Sequence, residues 1–356
     1  MENRRDWKVR DGDEKDLGQI LSLRKIIFGE MEKDKHDPEF WKWEFMKGPD
    51  GKAFLYIVEE GERVIGHFAD IPRRFSVNGE VALGTLSLDL MVHPAYWRRG
   101  IFEAMGRYGV QRVKGAKGLF LTAYPIRKET IHGLIKIGWK RVVELPVLVY
   151  PNRFWGIVDR YLHFRPLSLL LGGVARFFHL LFFPRGVRAK QEQGIDIDRV
   201  EQLDDEFDRF WHRASSLSPI VGVRDRPFLN WRYLQHPTRT YTIFRAMKKG
   251  EMRGYVILRK VDLLNFNSAV MVDLLALDKD ALKALVARGI EHSYKEGAAL
   301  LGFMVPKTHP YYGNLRRWGF LPSLKTFLFM VYPLVEGKGL LNPEAWYVNW
   351  GDTDVI

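Results

Sequence analysis

The chain has 356 residues, which is long for one ordinary domain and sufficient for two. Its composition, 46% hydrophobic and 28% charged with a formal net charge of +12, is typical of a globular protein and favours anionic partners such as phosphates, coenzyme A, nucleic acid or an acidic membrane surface. Because there is no cysteine, disulfides, thiolate chemistry and cysteine-bound zinc are excluded.

The N-terminus, Met1–Asp6, is charged and no apolar run follows it, so a signal peptide is not expected. The longest apolar stretch, around Leu167–Ala175, is shorter than the roughly 20 residues that a transmembrane helix needs. We therefore expect a cytoplasmic protein, either soluble or attached to a membrane surface.

The first 151 residues alternate between helix and strand patterns. Helices are expected over Asp13–Gly29, Gly100–Lys114 and Glu129–Ile137. Strands are expected over Phe54–Val58, Val64–Pro72, Arg74–Val77, Val81-Ala82, Thr85–Val92, Leu119–Tyr124 and Lys140–Tyr150. Asn78-Gly79 is a strong hairpin signal. This order predicts a mixed α/β (α+β) sheet.

The segment Asn152–Gln193 has a different composition, with clusters of Leu and Phe interspersed with arginines. The arginines are Arg153, Arg160, Arg165, Arg176, Arg185 and Arg188. One interpretation is a helical linker whose apolar face packs on a domain. The other is peripheral membrane contact through residues 161–188, as an interfacial helix on anionic lipid. Under both, Gly172-Gly173 is expected to break or kink the helix.

The sequence contains an internal repeat. Phe40-Trp41-Lys42-Trp43 recurs 188 residues later as Phe228-Leu229-Asn230-Trp231, and Leu148–Pro151 recurs as Met330–Pro333. The repeat predicts an N-terminal domain over 1–151, a basic and apolar helical linker over 152–194, a C-terminal copy over 195–333 and a tail over 334–356. Trp43 and Trp231 are expected in the cores.

One turn in the first copy has the features of an anion-binding site. The strand Leu86–Val92 stops at His93-Pro94, and a loop with Arg98 and Arg99 leads to Gly100 and a helix. The first N–H groups of a helix lack internal partners and carry partial positive charge, so they bind phosphates. Gly100 lets the backbone approach a pyrophosphate closely. The pattern is neither a P-loop nor a dinucleotide fingerprint.

The run Leu88–Phe102 resembles motif A of the GNAT N-acetyltransferases, and Tyr124–Trp139 resembles the second half of that domain. The resemblance implies two tandem GNAT-like acyl-CoA N-acyltransferase domains, with acetyl-CoA as co-substrate and an amine as acceptor. It also implies that the backbone of Met91 and Val92 bonds the pantetheine arm. The N–H groups that would hold the pyrophosphate belong to Arg98, Arg99, Gly100, Ile101, Phe102 and Glu103.

The same resemblance implies direct attack by the amine on the thioester, with a backbone N–H holding the oxyanion. Asp89 is a candidate base if burial raises its pKa, or else a structural carboxylate. Tyr124 is a candidate acid, or else an aromatic at a domain seam. His93 is either catalytic or a strand-end hydrogen bonder. Leu134 departs from the family, many members of which have a thiolate-protonating Tyr there.

The second copy has lost the turn. Asp273 aligns with Asp89, but no Arg-Arg-Gly follows, and Asp278 and Asp280 would repel a pyrophosphate. We therefore expect no coenzyme A site in the second copy. A basic cluster there is expected either to hold an anionic acceptor or to be a solvated face, and it comprises Arg224, Arg226, Arg232 and Arg239.

The tail combines Trp346, Tyr347 and Trp350 with Asp352 and Asp354. We expect it to dock near the cleft of the first domain, where an acid or the terminal carboxylate would touch the acceptor amine. The alternative is simple docking on the second domain.

No metal site is expected, since no His pair has ligand spacing. Together these patterns predict an N-acetyltransferase that moves an acetyl group from acetyl-CoA to an unknown amine, with nucleic acid not expected as a partner. Two alternatives stay open: an aminoacyl-tRNA-dependent transferase like the Fem enzymes, and a coenzyme A-binding module without catalysis.

Overall fold

The computed structural model describes residues 6–183 and 194–354, except the side chains of 30–33. The chain forms two compact units, each assembled from three segments. Unit 1 comprises Met1–Val143, Pro219–Arg239 and Leu328–Ala345; unit 2 comprises Glu144–Ser218, Thr240–Phe327 and Trp346–Ile356. Linker residues Arg185 and Arg188 and the terminal carboxylate lie outside the described residues.

The first half of the chain alternates strands and helices as the sequence predicts. Its elements are β1 (Lys8–Asp11), α1 (Leu17–Phe28), α2 (Pro38–Met46), β2 (Phe54–Glu60), β3 (Arg63–Val77), β4 (Glu80–Val92), α3 (Ile101–Gly115), β5 (Phe120–Ala123), α4 (Lys128–Ile137) and β6 (Lys140–Pro151). Helix α2 was not predicted, although Asp37 caps it and Pro38 occupies its first turn, which is a readable start signal.

The second half repeats this order after two linker helices. Its elements are α5 (Phe154–Leu162), α6 (Arg165–Phe182), β7 (Asp196–Val200), α7 (Asp205–Ala214), β8 (Ile220–Gly222), α8 (Arg226–Leu229), β9 (Thr242–Lys248), β10 (Glu251–Leu263), β11 (Phe266–Ala276), α9 (Lys279–Lys295), β12 (Leu300–Met304), α10 (Pro310–Arg317), β13 (Leu321–Pro333) and β14 (Trp346–Tyr347). A π-helical turn, Asn230–Leu234, continues α8.

The hairpin between β3 and β4 is confirmed. Asn78 and Gly79 both have positive φ, 54° and 86°, as the tight two-residue turn requires. The breaks expected after Pro72 and Ala82 are wrong, because β3 and β4 continue through them as one long antiparallel pair.

Unit 1 has a sheet in the order β1-β2-β3-β4-β5, which the last residues of β13 complete. Met330 pairs with Ala123 and Pro333 with Phe120 in antiparallel register. The sheet of unit 2 runs β7-β9-β10-β11-β12, and the end of β6 completes it, with Leu300 opposite Pro151. Each unit therefore receives its final strand from the other half of the sequence, so the units do not coincide with the sequence copies.

Helices cover both faces of the unit 1 sheet. Helix α3 lies on the face that carries Phe68 and Asp70, because a Cβ built on Gly109 would meet both. His67 points to the other face, where Phe45 of α2 contacts its ring edge to face. This alternation is the ordinary period of a strand and separates two buried polar groups, His67 and Asp70.

Helix α6 runs without interruption through Gly172-Gly173, so the expected break is wrong. The reason is packing: a Cβ built on Gly172 would lie 2.6 Å from the backbone N and Cα of Trp155. Glycine at 172 therefore lets α5 and α6 approach closely. With 18 residues, α6 is also longer than the apolar run visible in the sequence, and within the described residues it is the helix whose length and composition suffice to cross a membrane.

Candidate functional site

Strands β4 and β5 diverge in the middle of the unit 1 sheet. They pair in parallel over Gly84–Leu86 and Phe120–Thr122, and beyond Leu86 strand β4 has no partner on that side in the described part of the chain. The opening begins where Thr122 donates its hydroxyl to the carbonyl of Thr85, at 2.7 Å. The rest of β4 thus borders a cleft.

A β-bulge distorts β4 at this cleft. Ala69 pairs with Leu88 but His67 pairs with Met91, so Asp89 and Leu90 together lie opposite Phe68. Asp89 takes a positive φ of 55°, which is uncommon for a residue other than glycine. Bulges re-aim backbone groups and are over-represented beside active sites.

The backbone of Val92 faces the cleft. Gly66 and Val92 are opposite each other, and the N–H of His93 donates to the carbonyl of Ile65 at 2.8 Å. In an antiparallel ladder this makes Gly66 and Val92 a non-hydrogen-bonded pair, whose own N–H and C=O point away from each other. The Val92 carbonyl instead accepts a 2.8 Å hydrogen bond from the indole N–H of Trp97.

The turn after β4 delivers an open helix N-terminus to the same end of the cleft. Arg98 and Gly100 have φ of 64° and 79°, and Gly100 is the residue that precedes α3. No described side chain caps this helix, so its first N–H groups are available to a ligand. Glu103 in the first turn forms an ion pair with Arg107 at 2.8 Å, which offsets its negative charge.

The side chains of Ile101 and Phe102 anchor the start of α3. Ile101 is buried and packs near Gly66, where a Cβ would come within 3.2 Å of it. Phe102 packs on Gly133 of α4, and a Cβ there would lie 2.4 Å from its ring. Both side chains are therefore engaged, and it is the backbone of this turn that stays available.

The carboxylate of Asp89 is paired with another side chain. It bonds the buried guanidinium of Arg24, with Nε and Oδ2 2.6 Å apart, and Arg24 also reaches Glu44 at 3.2 Å. Burial raises the pKa of Asp89, but Arg24, Lys35 and His67 outweigh burial and hold the pKa below its usual value. A base needs a raised pKa, so this geometry favours the structural alternative.

His67 is a site residue that sequence reasoning missed. It is fully buried beside the bulge, and its Nδ1 lies 3.2 Å from the carbonyl of Tyr56. Its Nε2 has no hydrogen-bond partner among the described residues. Burial lowers the pKa of His67 to about 4, so the ring is neutral at pH 7. No motif surrounds His67, and its position becomes visible only once β3 is paired with β4.

The other predicted residues have distinct environments. Tyr124 follows β5 directly, is buried and lies 5.2 Å from the ring of Phe329. Leu134 belongs to the hydrophobic core under α3 and cannot donate a proton. His93 accepts from the N–H of Ala95 at 3.3 Å and contacts Arg63 at 2.9 Å, which is the strand-end role.

Unit 2 retains the bulge but not the open helix. Ile257 pairs with Asp273 and Leu258 with Met271, so β11 also carries one extra residue, Val272. However, Asp278 caps α9 by accepting from the N–H of Ala281 at 2.8 Å, and it also pairs with Arg253. The helix terminus that would receive a phosphate is therefore occupied by the protein's own carboxylate.

The aromatic and acidic end of the tail, Trp346–Ile356, belongs to unit 2, whereas residues 334–345 belong to unit 1. For this aromatic end, the expectation that it docks near the first domain is corrected. Asn349 donates to Asp273 at 3.0 Å, and the hydroxyl of Tyr347 donates to the carbonyl of Leu274. Asp352 accepts from the backbone N–H of Asn349 at 3.0 Å and so closes its own turn. These contacts fit the alternative expectation, in which the tail simply docks on the second domain.

The basic cluster is not a solvated face. Arg224 is fully buried and donates to the carbonyl of Gly222 at 2.7 Å, and Arg232 is almost fully buried. Arg239 covers the ring of Phe40, with its guanidinium carbon 5.9 Å from the ring centre. Across residues 6–183 and 194–354, no group of three His, Asp or Glu side chains could hold a metal ion.

Comparison with protein families gives a match to the first copy. Residues 8–141 match the acetyltransferase (GNAT) domain family. No curated protein matches the chain in sequence.

Solved structures match the fold of the whole chain. A GCN5-related N-acetyltransferase from Anabaena variabilis has a TM-score of 0.67 at 12% identity, with 94% of this chain and 74% of that chain covered. A tandem GNAT protein from the clavulanic acid biosynthesis pathway has a TM-score of 0.57 at 15% identity, with 93% and 99% covered. The N-myristoyltransferase of Saccharomyces cerevisiae has a TM-score of 0.58 at 11% identity, with 94% and 81% covered. The mixed α/β fold with two GNAT-like copies is confirmed.

Proposed function

We propose that this chain, whose residues 8–141 form a GNAT domain within a tandem GNAT fold, is an N-acetyltransferase that moves an acetyl group from acetyl-CoA to an amine. The first copy holds the donor. The observation that carries this proposal is a difference between two helix N-termini. Among the described residues no side chain caps α3, whereas Asp278 caps α9.

The residues of the cleft suit each part of the donor. The N–H groups from Arg98 to Glu103 would hold the pyrophosphate, with the helix dipole and the two arginines supplying positive charge. The cleft-facing N–H and C=O of Val92 suit the amides of the pantetheine arm. The bulge at Asp89 and Leu90 changes the direction of the backbone groups in this part of β4. A backbone N–H directed at the thioester carbonyl would polarise it.

The transfer itself needs no enzyme-bound intermediate. The nitrogen of the neutral amine forms a bond to the thioester carbon and loses a proton to solvent, the carbon–sulfur bond breaks, and the coenzyme A thiolate takes a proton. Since the chain contains no cysteine, a thiol acyl-enzyme is excluded. Tyr124 at the end of β5 is the proposed donor of that proton, because Leu134 lies in the apolar core.

Calorimetric titration with acetyl-CoA tests the donor site. We expect the wild type to bind and Gly100→Glu to lose binding at least tenfold, because a carboxylate at the helix N-terminus repels the pyrophosphate. Gly250→Glu is the matched control: Gly250 and Gly100 have φ of 80° and 79°, and a Cβ on either meets nothing within 4 Å. The same affinity loss in both variants, or no binding by the wild type, would refute the donor site.

Release of free coenzyme A thiol over a panel of amines tests the reaction. The assay has no protein background because the chain has no thiol. We expect Tyr124→Phe to lower kcat by 10²–10⁴-fold with unchanged acetyl-CoA affinity, the usual range for losing an acid. Comparing acetyl, butyryl and myristoyl donors assigns the acyl group. Tight binding without turnover on any amine would favour the non-catalytic module.

A further inference from the structure

Helices α5 and α6 of unit 2 present a large apolar surface to solvent. The outward face of α6 is a stripe of four residues spaced as i, i+4, i+7 and i+11, which we call the outer stripe. Its members and exposed fractions are Leu170 64%, Val174 45%, Phe177 64% and Leu181 58%. A stripe of this kind on a surface helix normally faces a core, and here it faces outward.

The opposite face of α6 holds the helix against unit 2. It consists of small residues and one histidine at the same spacing, namely Ser168, Gly172, Ala175 and His179. Gly172 lies against the backbone of Trp155, and Nε2 of His179 is 2.8 Å from the carbonyl of Gly319. These contacts attach the middle and the C-terminal part of α6, so the helix cannot leave the protein surface without breaking them.

The charges around the outer stripe are almost all positive. Between Arg153 and Phe183 the acidic residue is Asp159, against four arginines, Arg153, Arg160, Arg165 and Arg176. On a helical wheel Arg165 and Arg176 fall beside the inner face rather than on the outer stripe. Their long side chains can therefore reach phosphate groups while the stripe enters an apolar phase. Exposed Trp155, Tyr161 and Phe164 add rings that suit a membrane–water interface.

We propose that α5 and α6 dock the protein on an anionic lipid bilayer, with α6 parallel to the surface and its outer stripe inserted at the level of the headgroups. Apolar residues opposite an attached face, arginines at the flanks and a scarcity of acids are the features of an interfacial helix. A transmembrane orientation fits less well. The length of α6 would permit it to span, but the contacts of Gly172 with Trp155 and of His179 with Gly319 would then be lost.

Co-sedimentation of the full chain with vesicles tests this surface. We expect binding to vesicles of phosphatidylcholine with about one third phosphatidylglycerol, weak binding to phosphatidylcholine alone, and release at high salt. The double variant Leu170→Glu/Phe177→Glu should bind at least tenfold more weakly, since two inserted apolar side chains are replaced by carboxylates. Circular dichroism and donor titration check that the variant is folded.

Leu324→Glu is the matched control, because Leu324 is also an exposed leucine of unit 2 but lies on β13. This variant should bind vesicles like the wild type. Three results would overturn the proposal: vesicle binding that the double variant retains, resistance of the bound protein to alkaline carbonate as expected for a spanning helix, or an absence of vesicle binding by the wild type. In the last case, a dimer that the double variant dissociates would assign the surface to a second copy of the chain instead.

Discussion

Trp43 and Trp231 bond each other reciprocally: the indole N–H of Trp43 donates to the carbonyl of Trp231 at 2.9 Å, and that of Trp231 donates to the carbonyl of Trp43 at 3.1 Å. Their rings stack with centres 4.9 Å apart. The two residues are equivalent positions of the repeat, so the internal symmetry passes through this pair inside unit 1.

Replacing either tryptophan by phenylalanine should lower the free energy of unfolding by about 1–3 kcal/mol, since a hydrogen bond is lost, a buried carbonyl is left unpaired and the stacking area shrinks. Because the rings contact each other, Trp43→Phe and Trp231→Phe should not be additive. A double-mutant cycle in urea measures the coupling, which we expect at about 0.5–1.5 kcal/mol. Additivity within about 0.3 kcal/mol would contradict the structural pairing.

The pair Arg24–Asp89 should act on stability before it acts on chemistry. Asp89→Asn removes one of the two carboxylates that pair with the buried guanidinium of Arg24 and leaves Glu44 alone to do so, and breaking a buried pair costs about 3–5 kcal/mol. Urea unfolding should show this loss, whereas Asp262→Asn on an exposed stretch of β10 should change stability by less than about 0.5 kcal/mol. A stable Asp89→Asn variant whose kcat has lost one limb of its pH profile would instead identify Asp89 as the base.

Asp70 should make the stability of the protein depend on pH. It lies under α3 and accepts from Tyr56 at 2.9 Å, with Ser87 and Thr85 as further donors. Burial raises the pKa of Asp70 from its ordinary 3.8 to about 6. The folded state thus binds this proton more tightly than the unfolded state, and the resulting stability is complete below pH 4 and is lost as the pH rises through 6.

Asp70→Asn removes this proton linkage. Relative to the wild type, the variant should gain up to about 3 kcal/mol in free energy of unfolding between pH 4 and pH 8, since one pKa unit corresponds to about 1.4 kcal/mol. Urea unfolding at a series of pH values measures the difference. A difference that does not vary with pH would mean that Asp70 is ionised throughout.

Trp97 should weaken donor binding in the wild type. Its indole N–H occupies the cleft-facing carbonyl of Val92, which is the acceptor proposed for an amide of the pantetheine arm. Trp97→Phe keeps a ring but removes this competitor, which is worth about 1 kcal/mol. The affinity for acetyl-CoA should rise about fivefold by calorimetry. Trp155→Phe, at an exposed tryptophan of unit 2, is the control. An unchanged or lower affinity in Trp97→Phe would show that the indole does not compete.

The features that the sequence predicted well depend on local chemistry. Asn78-Gly79 can form its turn from its own φ preferences, and Gly100 marks the start of α3 for the same reason. The motif around Gly100 therefore located the proposed donor cleft.

The features that it did not predict depend on partners far away in the chain. Arg24 and Asp89 are 65 residues apart, and nothing in either segment identifies the other. In the sequence, where the pairing with Arg24 is not visible, Asp89 is interpreted as a free carboxylate. The strands that end in Leu148–Pro151 and Met330–Pro333 have the same pattern, so the sequence cannot tell which sheet edge each one joins. The tail has aromatic residues that suit either copy equally well.

The exchange of final strands has a consequence for the synthesis of the protein. The sheet of unit 1 needs the residues from Leu328 to Pro333 against β5, and these are made long after the rest of that sheet. On the ribosome, the edge of the N-terminal sheet at β5 therefore stays unpaired until the residues from Leu328 to Pro333 have been translated. Premature termination anywhere before Leu328 would leave that edge exposed to other chains, so truncated products should aggregate rather than persist as half-size enzymes.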